Sequence, residues 1–166
     1  MSYHHTVEQI KTLLDAHHVQ YVTFEHDAVR TSEEAAALRP EYTLAQGAKA
    51  LIVRVKYKGD QPAGFVQVVV PGDAKFDPKK LRQVLVAKDT RFATVEEVAA
   101  VTHGIEPGGV PPFGTLFTIP VFVDRSLLEN EEIIFNAGDR RYSIAMRTAD
   151  YVRVVAPTVV DIRAVV

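Results

Sequence analysis

The stretch "AKALIVRVKYKGDQPAGFVQVVV" (48–70) decides how the chain folds. Its ends, residues 48–56 and 64–70, are rich in β-branched and apolar side chains. Between them lies "YKGDQPAG", a polar connector containing Gly and Pro. Two strand-forming runs joined in this way predict an antiparallel hairpin. Downstream, "IPVFVD" (119–124), "EIIF" (132–135) and "YSIAM" (142–146) predict three more strands, with "NAGDR" (136–140) as the turn between the last two. "YVRVVA" (151–156) and "TVVDIRAVV" (158–166) predict one or two strands at the end.

Helix starts fall between these runs. Thr6-Val7-Glu8-Gln9 has the form of a capping box, with Val7, Ile10 and Leu14 on one face. Thr31-Ser32-Glu33-Glu34 has it again, and that helix should stop near Arg39 because Pro40 follows. Asp77-Pro78 places a cap before a proline, with Leu81, Val84 and Leu85 as the inward stripe. Thr94-Val95-Glu96-Glu97 opens another helix, and Gly104 supplies a stop. Hairpins with helices inserted between them predict an α+β fold. The sheet is expected to be mainly antiparallel or mixed, either open or closed as a barrel.

Composition bounds the function. A chain of 166 residues, 47% hydrophobic and 24% charged, fits a single domain over 1–166 with a real core. There is no cysteine, which excludes disulfides, thiolate catalysis and cysteine zinc sites. The N-terminus lacks the basic-then-apolar pattern of a secretion signal, and no apolar run approaches the roughly 20 residues that span a bilayer. The expectation is a cytoplasmic protein with no membrane partner. A net charge of −2 provides no general attraction to DNA. Residues 75–91 differ: Lys75, Lys79, Lys80, Arg82, Lys88 and Arg91 face only Asp77 and Asp89, six basic residues against two acidic. Such a run is either a solvated helix face or a phosphate-contacting patch. The six histidines (4, 5, 17, 18, 26, 103) include two adjacent pairs, whose members point to different faces. No metal site and no cofactor is expected from them.

Three features carry candidate chemistry. Lys49 shares a strand face with Leu51, Val53 and Val55, so a lysine heads the more apolar face. It either snorkels to water or stands at the mouth of an apolar pocket, ready for an anion. "EPGGVPPFG" (106–114) holds three glycines and three prolines. Gly108 and Gly109 allow close backbone approach, and consecutive amides in such a turn can form an anion-binding concavity. In acyl transfer those amides would hold a carbonyl oxygen as it gains charge. On composition alone, a plain connector is the simpler reading. In "NAGDRRYSIAM" (136–146), Asn136, Gly138 and Asp139 are turn residues, and Ser143 would point to one face of the next strand with Ala145.

Taken in order, "GAKALIVR" (47–54), "VVVPGDAKFDPKKLR" (68–82), "FATVEEVAAVTHGIEPGGVPPFG" (92–114) and the segment 119–146 resemble the YbaK/prolyl-tRNA-editing-domain family of aminoacyl-tRNA deacylases. The resemblance covers nearly the whole chain. It implies a mixed, barrel-like core decorated by helices and a free-standing cytosolic editing activity. The substrate implied is a tRNA bearing the wrong amino acid, often a proline tRNA carrying a smaller residue such as Cys or Ala. The tRNA acceptor end is then the partner, with an aminoacyl-tRNA synthetase as a further candidate. By the same resemblance Lys49 is the functional lysine near the tRNA 3′ end. The glycine-rich loop, Gly108 to Pro112, lies at the scissile ester; the expectation built on this is that the amides of Gly108, Gly109 and Val110 hold the ester carbonyl oxygen, with Pro111, Pro112, Phe113, Gly138 and Ser143 completing the substrate site. Such enzymes are thought to use no protein nucleophile; the substrate's own hydroxyl or thiol, or a positioned water, does the chemistry. The sequence departs from the pattern at Ser143, where some relatives carry aspartate, and at Arg141, which replaces a turn glycine. A catalytically silent module that binds tRNA 3′ ends or aminoacyl-adenosine-like ligands is the alternative that this departure motivates.

Overall fold

The computed structural model describes residues 2–28 and 31–165. The hairpin forms as the sequence predicts: β2 (Ala48–Tyr57) pairs antiparallel with β3 (Gly64–Pro71), Lys49 opposite Val70. Around it lie helix α1 (Thr6–Ala16), strand β1 (Tyr21–Glu25) and helix α2 (Ser32–Leu38) on the N-terminal side. After it come α3 (Pro78–Leu85), β4 (Ala87–Phe92), α4 (Val95–Thr102), β5 (Val121–Asp124), β6 (Glu132–Asp139), β7 (Tyr142–Arg147), α5 (Thr148–Val155) and β8 (Thr158–Val160).

The strands form two sheets rather than one closed barrel. One runs β1-β7-β6 and is antiparallel throughout; the other runs β4-β2-β3-β5-β8 and is mixed, with β5 parallel to β3 and β8 parallel to β5. A single parallel bridge between Gly47 and Ile134 ties the start of β2 to β6. Both faces of the five-stranded sheet are covered. Ala48, Ala50 and Ile52 join a large core with α1, β6, β7 and α5, while Val53, Val55, Val66 and Val68 pack on Leu81 and Leu85 of α3. Burial on both faces is why residues 48–56 carry apolar side chains on both sides of the pleat.

The caps follow local chemistry. The Thr31 side chain accepts from the Glu34 N–H, that of Asp77 from Lys79, and Thr94 with Glu97 completes a capping box. α4 ends at His103 with φ +60°, followed by Gly104. Four expectations are corrected. Thr6 is not a cap: it is the first residue of α1, fully buried, and His5 precedes it without a side-chain cap. Val84 points outward at 38% exposure, so the inward stripe of α3 is Leu81 and Leu85. Residues 136–139 are strand, not turn; β6 continues through an irregularity in register to Asp139, and the chain reverses at Arg140-Arg141. Residues 151–155 are helix, because Thr148, Tyr151 and Val155 fall on one buried face at helical spacing.

Candidate active site

β4 pairs with β2 only from Val53 onward, so the outer edge of Ala48–Leu51 is left open. A cleft of about 310 Å³ occupies that gap. Ala48, Lys49 and Ala50 form one wall, Ala35, Ala36 and Arg39 from the α2 region another, and Gly108, Val110 and Asn136 a third. Alanines on α2 and β2 keep the walls close to backbone and leave room for a ligand.

Lys49 is half-buried on this cleft. Its Nζ donates to the carbonyl of Ala74, 2.7 Å away, in the turn that follows β3. Burial pulls the ammonium below the ordinary lysine pKa of 10.5. One of three N–H donors is engaged by that carbonyl. No ion pair forms at Lys49 among the described residues.

The glycine-rich loop divides into an exposed tip, residues 106–108, and a buried stem, residues 109–114. At the tip, Gly108 has φ +89°, and the Gly109 N–H donates to the Glu106 carbonyl at 2.9 Å. Strand β6 clamps the loop twice. Asn136 Nδ2 donates to the Gly108 carbonyl at 2.6 Å, and the Gly138 N–H donates to the Gly109 carbonyl at 2.9 Å. In a trans peptide the C=O and N–H point opposite ways. The second clamp therefore turns the Val110 N–H away from β6. The stem is fixed by Gln67, whose side chain donates to the Pro111 carbonyl and accepts from the Gly114 N–H, each at 2.9 Å. The Tyr151 hydroxyl donates to the Pro112 carbonyl at 2.7 Å. Phe113, fully buried, packs on Phe135 and Tyr151. Pro111, Pro112 and Phe113 thus stand behind the wall and hold it, while Gly108 and Val110 are on it.

Ser143 is also behind the wall. It is fully buried and joins a polar network that the sequence reading missed. Its Oγ accepts from Arg39 Nη1 at 2.9 Å, donates to Asn136 Oδ1 at 3.1 Å and lies 2.7 Å from His26 Nε2. The network runs from α2 through Ser143 and Asn136 to Gly108. A hint was present in the sequence: Arg39 closes an alanine-rich helix just before a proline. Nothing in the spacing linked it to residue 143. Gly138, read as a substrate contact, is instead a clamp, with φ +107° and an ideal Cβ position only 2.8 Å from Thr6 Cβ. The basic segment 75–91 divides between α3 and β4. Lys80 pairs with Asp161 at 3.4 Å and Arg91 with Glu97 at 2.7 Å. Among the described residues no group of three or more His, Asp or Glu gathers as a metal site would require, and no helix is long and apolar enough to cross a membrane.

A lysine ammonium and a clamped glycine loop stand around one small cleft, an arrangement chemically able to receive a small carbonyl- or anion-bearing ligand. The chain belongs to the aminoacyl-tRNA editing domain family, whose model matches residues 26–154. It is 31% identical over 159 residues to the multifunctional Ser/Thr-tRNA deacylase ProXp-y of Escherichia coli (strain K12), covering 95% of this chain and 93% of that protein. It is 32% identical over 131 residues to the proline–tRNA ligase of Bacillus subtilis (strain 168), covering 70% of this chain and 23% of the ligase. A crystal structure described as a candidate trans-editing enzyme for prolyl tRNA synthetase superposes with a TM-score of 0.80 at 26% identity, over 99% of this chain and 100% of that one.

Proposed function

We propose that this chain is a cytosolic editing unit that hydrolyses the ester of mischarged aminoacyl-tRNA, first among them a proline tRNA carrying Cys or Ala. The observation that carries this is the meeting of Lys49 with Gly108 and Val110 on one cleft, in a chain of the editing family. The acyl carbonyl rests against the loop. Water, or the substrate's own side-chain group, attacks the carbonyl carbon, and the oxygen gains negative charge. The N–H groups of Gly108 and Val110 receive that charge; Gly109 shapes the turn, since its own N–H already serves Glu106. The ester C–O bond then breaks, and the ribose oxygen leaves with the proton that the attacking group gives up. Lys49 anchors the phosphate or ribose of the terminal adenosine. Small wall residues such as Ala35 and Ala50 suit a small acyl side chain.

An editing site is useful where a synthetase cannot reject a smaller amino acid, because one methylene is worth only about 1–3 kcal/mol of discrimination. The name of the E. coli relative brings seryl and threonyl esters into the test panel. A synthetase partner is a reading supported by the match to proline–tRNA ligases. A second reading, a silent binder of tRNA 3′ ends, gains weight from the engagement of the Gly109 N–H within its own turn. Ester release from proline tRNA charged with Ala, Cys, Ser, Thr or Pro separates the two. Tight binding of a non-hydrolysable aminoacyl-adenosine analogue without release of any amino acid would establish the silent module.

A further inference from the structure

Arg39 is only 6% exposed, yet it lines the cleft. Its Nε donates to the Ala35 carbonyl at 3.2 Å, and its Nη1 to Ser143 Oγ at 2.9 Å. A guanidinium has five N–H donors, so these bonds use two. Among the described residues no carboxylate forms an ion pair with it. Glu41 acts on it electrostatically without pairing, and burial weakens its hold on the proton. A helix-capping role accounts for the bond to Ala35 and for nothing more. A buried charge without a counter-ion is expensive to keep. Ser143 orients this guanidinium but does not neutralise it, since a hydroxyl carries no charge. The wall therefore presents an oriented cation with donors to spare, and Lys49 adds a second on the same cleft.

We propose that Arg39 is an anion receptor of this cleft and takes the phosphoryl group of the bound nucleotide, together with Lys49. The proposal rests on the editing reading for its choice of anion. An aminoacyl ester has no free carboxylate, and the anion nearest to it on a nucleic-acid 3′ end is the phosphate of the terminal nucleotide. The planar fork of arginine matches phosphate oxygens two at a time.

The test compares adenosine 5′-monophosphate with adenosine by isothermal titration against the full chain, with inorganic phosphate as competitor. The monophosphate is expected to bind about tenfold tighter or more, the scale of charge-assisted hydrogen bonds, and phosphate should displace it. Arg39→Gln should bring the two ligands to equal affinity. Ser143→Asp should do the same by supplying an internal counter-ion, whereas Ser143→Ala, which leaves the charge in place, should keep most of the preference. Equal affinities in the unmodified chain, or an undiminished preference in folded Arg39→Gln, overturns the proposal; if that variant does not fold, Ser143→Asp decides in the same way. Deacylation of tRNA without any monophosphate preference defeats this inference alone. An Arg39-dependent preference in a chain that deacylates no tRNA defeats the editing reading alone.

Discussion

At Lys49, a residue that lines the cleft, the ammonium exchanges water for one carbonyl, that of Ala74. Removing it should cost transition-state stabilisation with little effect on folding. Lys49→Ala is expected to lower kcat/KM for deacylation about 100-fold or more, with an unchanged thermal melt. The lowered pKa adds a sign. As pH rises, the ammonium is lost below the ordinary lysine value of 10.5, so the rate advantage over Lys49→Ala should shrink before pH 10.5 is reached. Ser143 invites a different reading, because its Oγ lies 2.7 Å from a histidine nitrogen, as a nucleophile and its base would. Its full burial and the bond from Arg39 argue otherwise. Ser143→Ala should reduce activity by about tenfold or less, whereas loss of a true nucleophile costs about 10⁴-fold or more. Lys49 was legible because a lysine heading an apolar strand face is rare. Arg39, His26 and Asn136 were not, because their roles depend on contacts far apart in sequence that only the sheet pairing creates.

At the scale of elements, capping boxes and the Asp-Pro start were legible because their bonds are local. β1 and β4 were not. β4 is "AKDTRF", whose polar, exposed side chains show no alternation; it is a strand because the edge of β2 needs a partner. α5 was hidden by its own composition, since "YVRVV" satisfies strand propensity, and burial of Tyr151 and Val155 on one side overrides it. α3 ends on Val86, a β-branched residue at φ +52° and 63% exposed. Glycine fits that backbone without strain, so Val86→Gly is expected to raise unfolding stability by about 1 kcal/mol in denaturant titration. The β6–β7 reversal is held by Asp139, which accepts from the Arg141 N–H at 3.0 Å and from its guanidinium at 2.9 and 2.8 Å. Arg141 holds the Asp139 carboxyl at about 2, below the usual 3.8. A depressed carboxylate stabilises the fold above its unfolded pKa and loses that contribution as pH falls through the folded one. Asp139→Asn should thus destabilise by about 1 kcal/mol at neutral pH, allowing for solvent screening, with the difference fading between about pH 4 and pH 2.

At the scale of the whole molecule, the cleft lies where the bridge from Gly47 to Ile134 joins the two sheets and β4 stops short of the open edge of β2. No local pattern encodes that gap. The sequence shows the parts that line it, Lys49 and the glycine loop, but not their proximity; that came only from the resemblance of their order to a family. α1 also acts on the site at a distance, since Thr6 packs on Gly138, and Gly138 fixes the peptide that aims Val110. Gly138→Ala combines positive φ with a clash at Thr6 and should destabilise by about 2 kcal/mol or more, with a loss of activity in the fraction that still folds. The central claim is that Lys49 and the Gly108–Val110 backbone form a deacylation site. Its most direct test is the release of amino acid from proline tRNA charged with Ala, Cys, Ser, Thr or Pro, by the unmodified chain and by Lys49→Ala. The account predicts rapid release of at least one small non-cognate residue, sparing of the prolyl ester, and near-background rates in the variant. Release that Lys49→Ala leaves undiminished, or no release from any of the five, would contradict it.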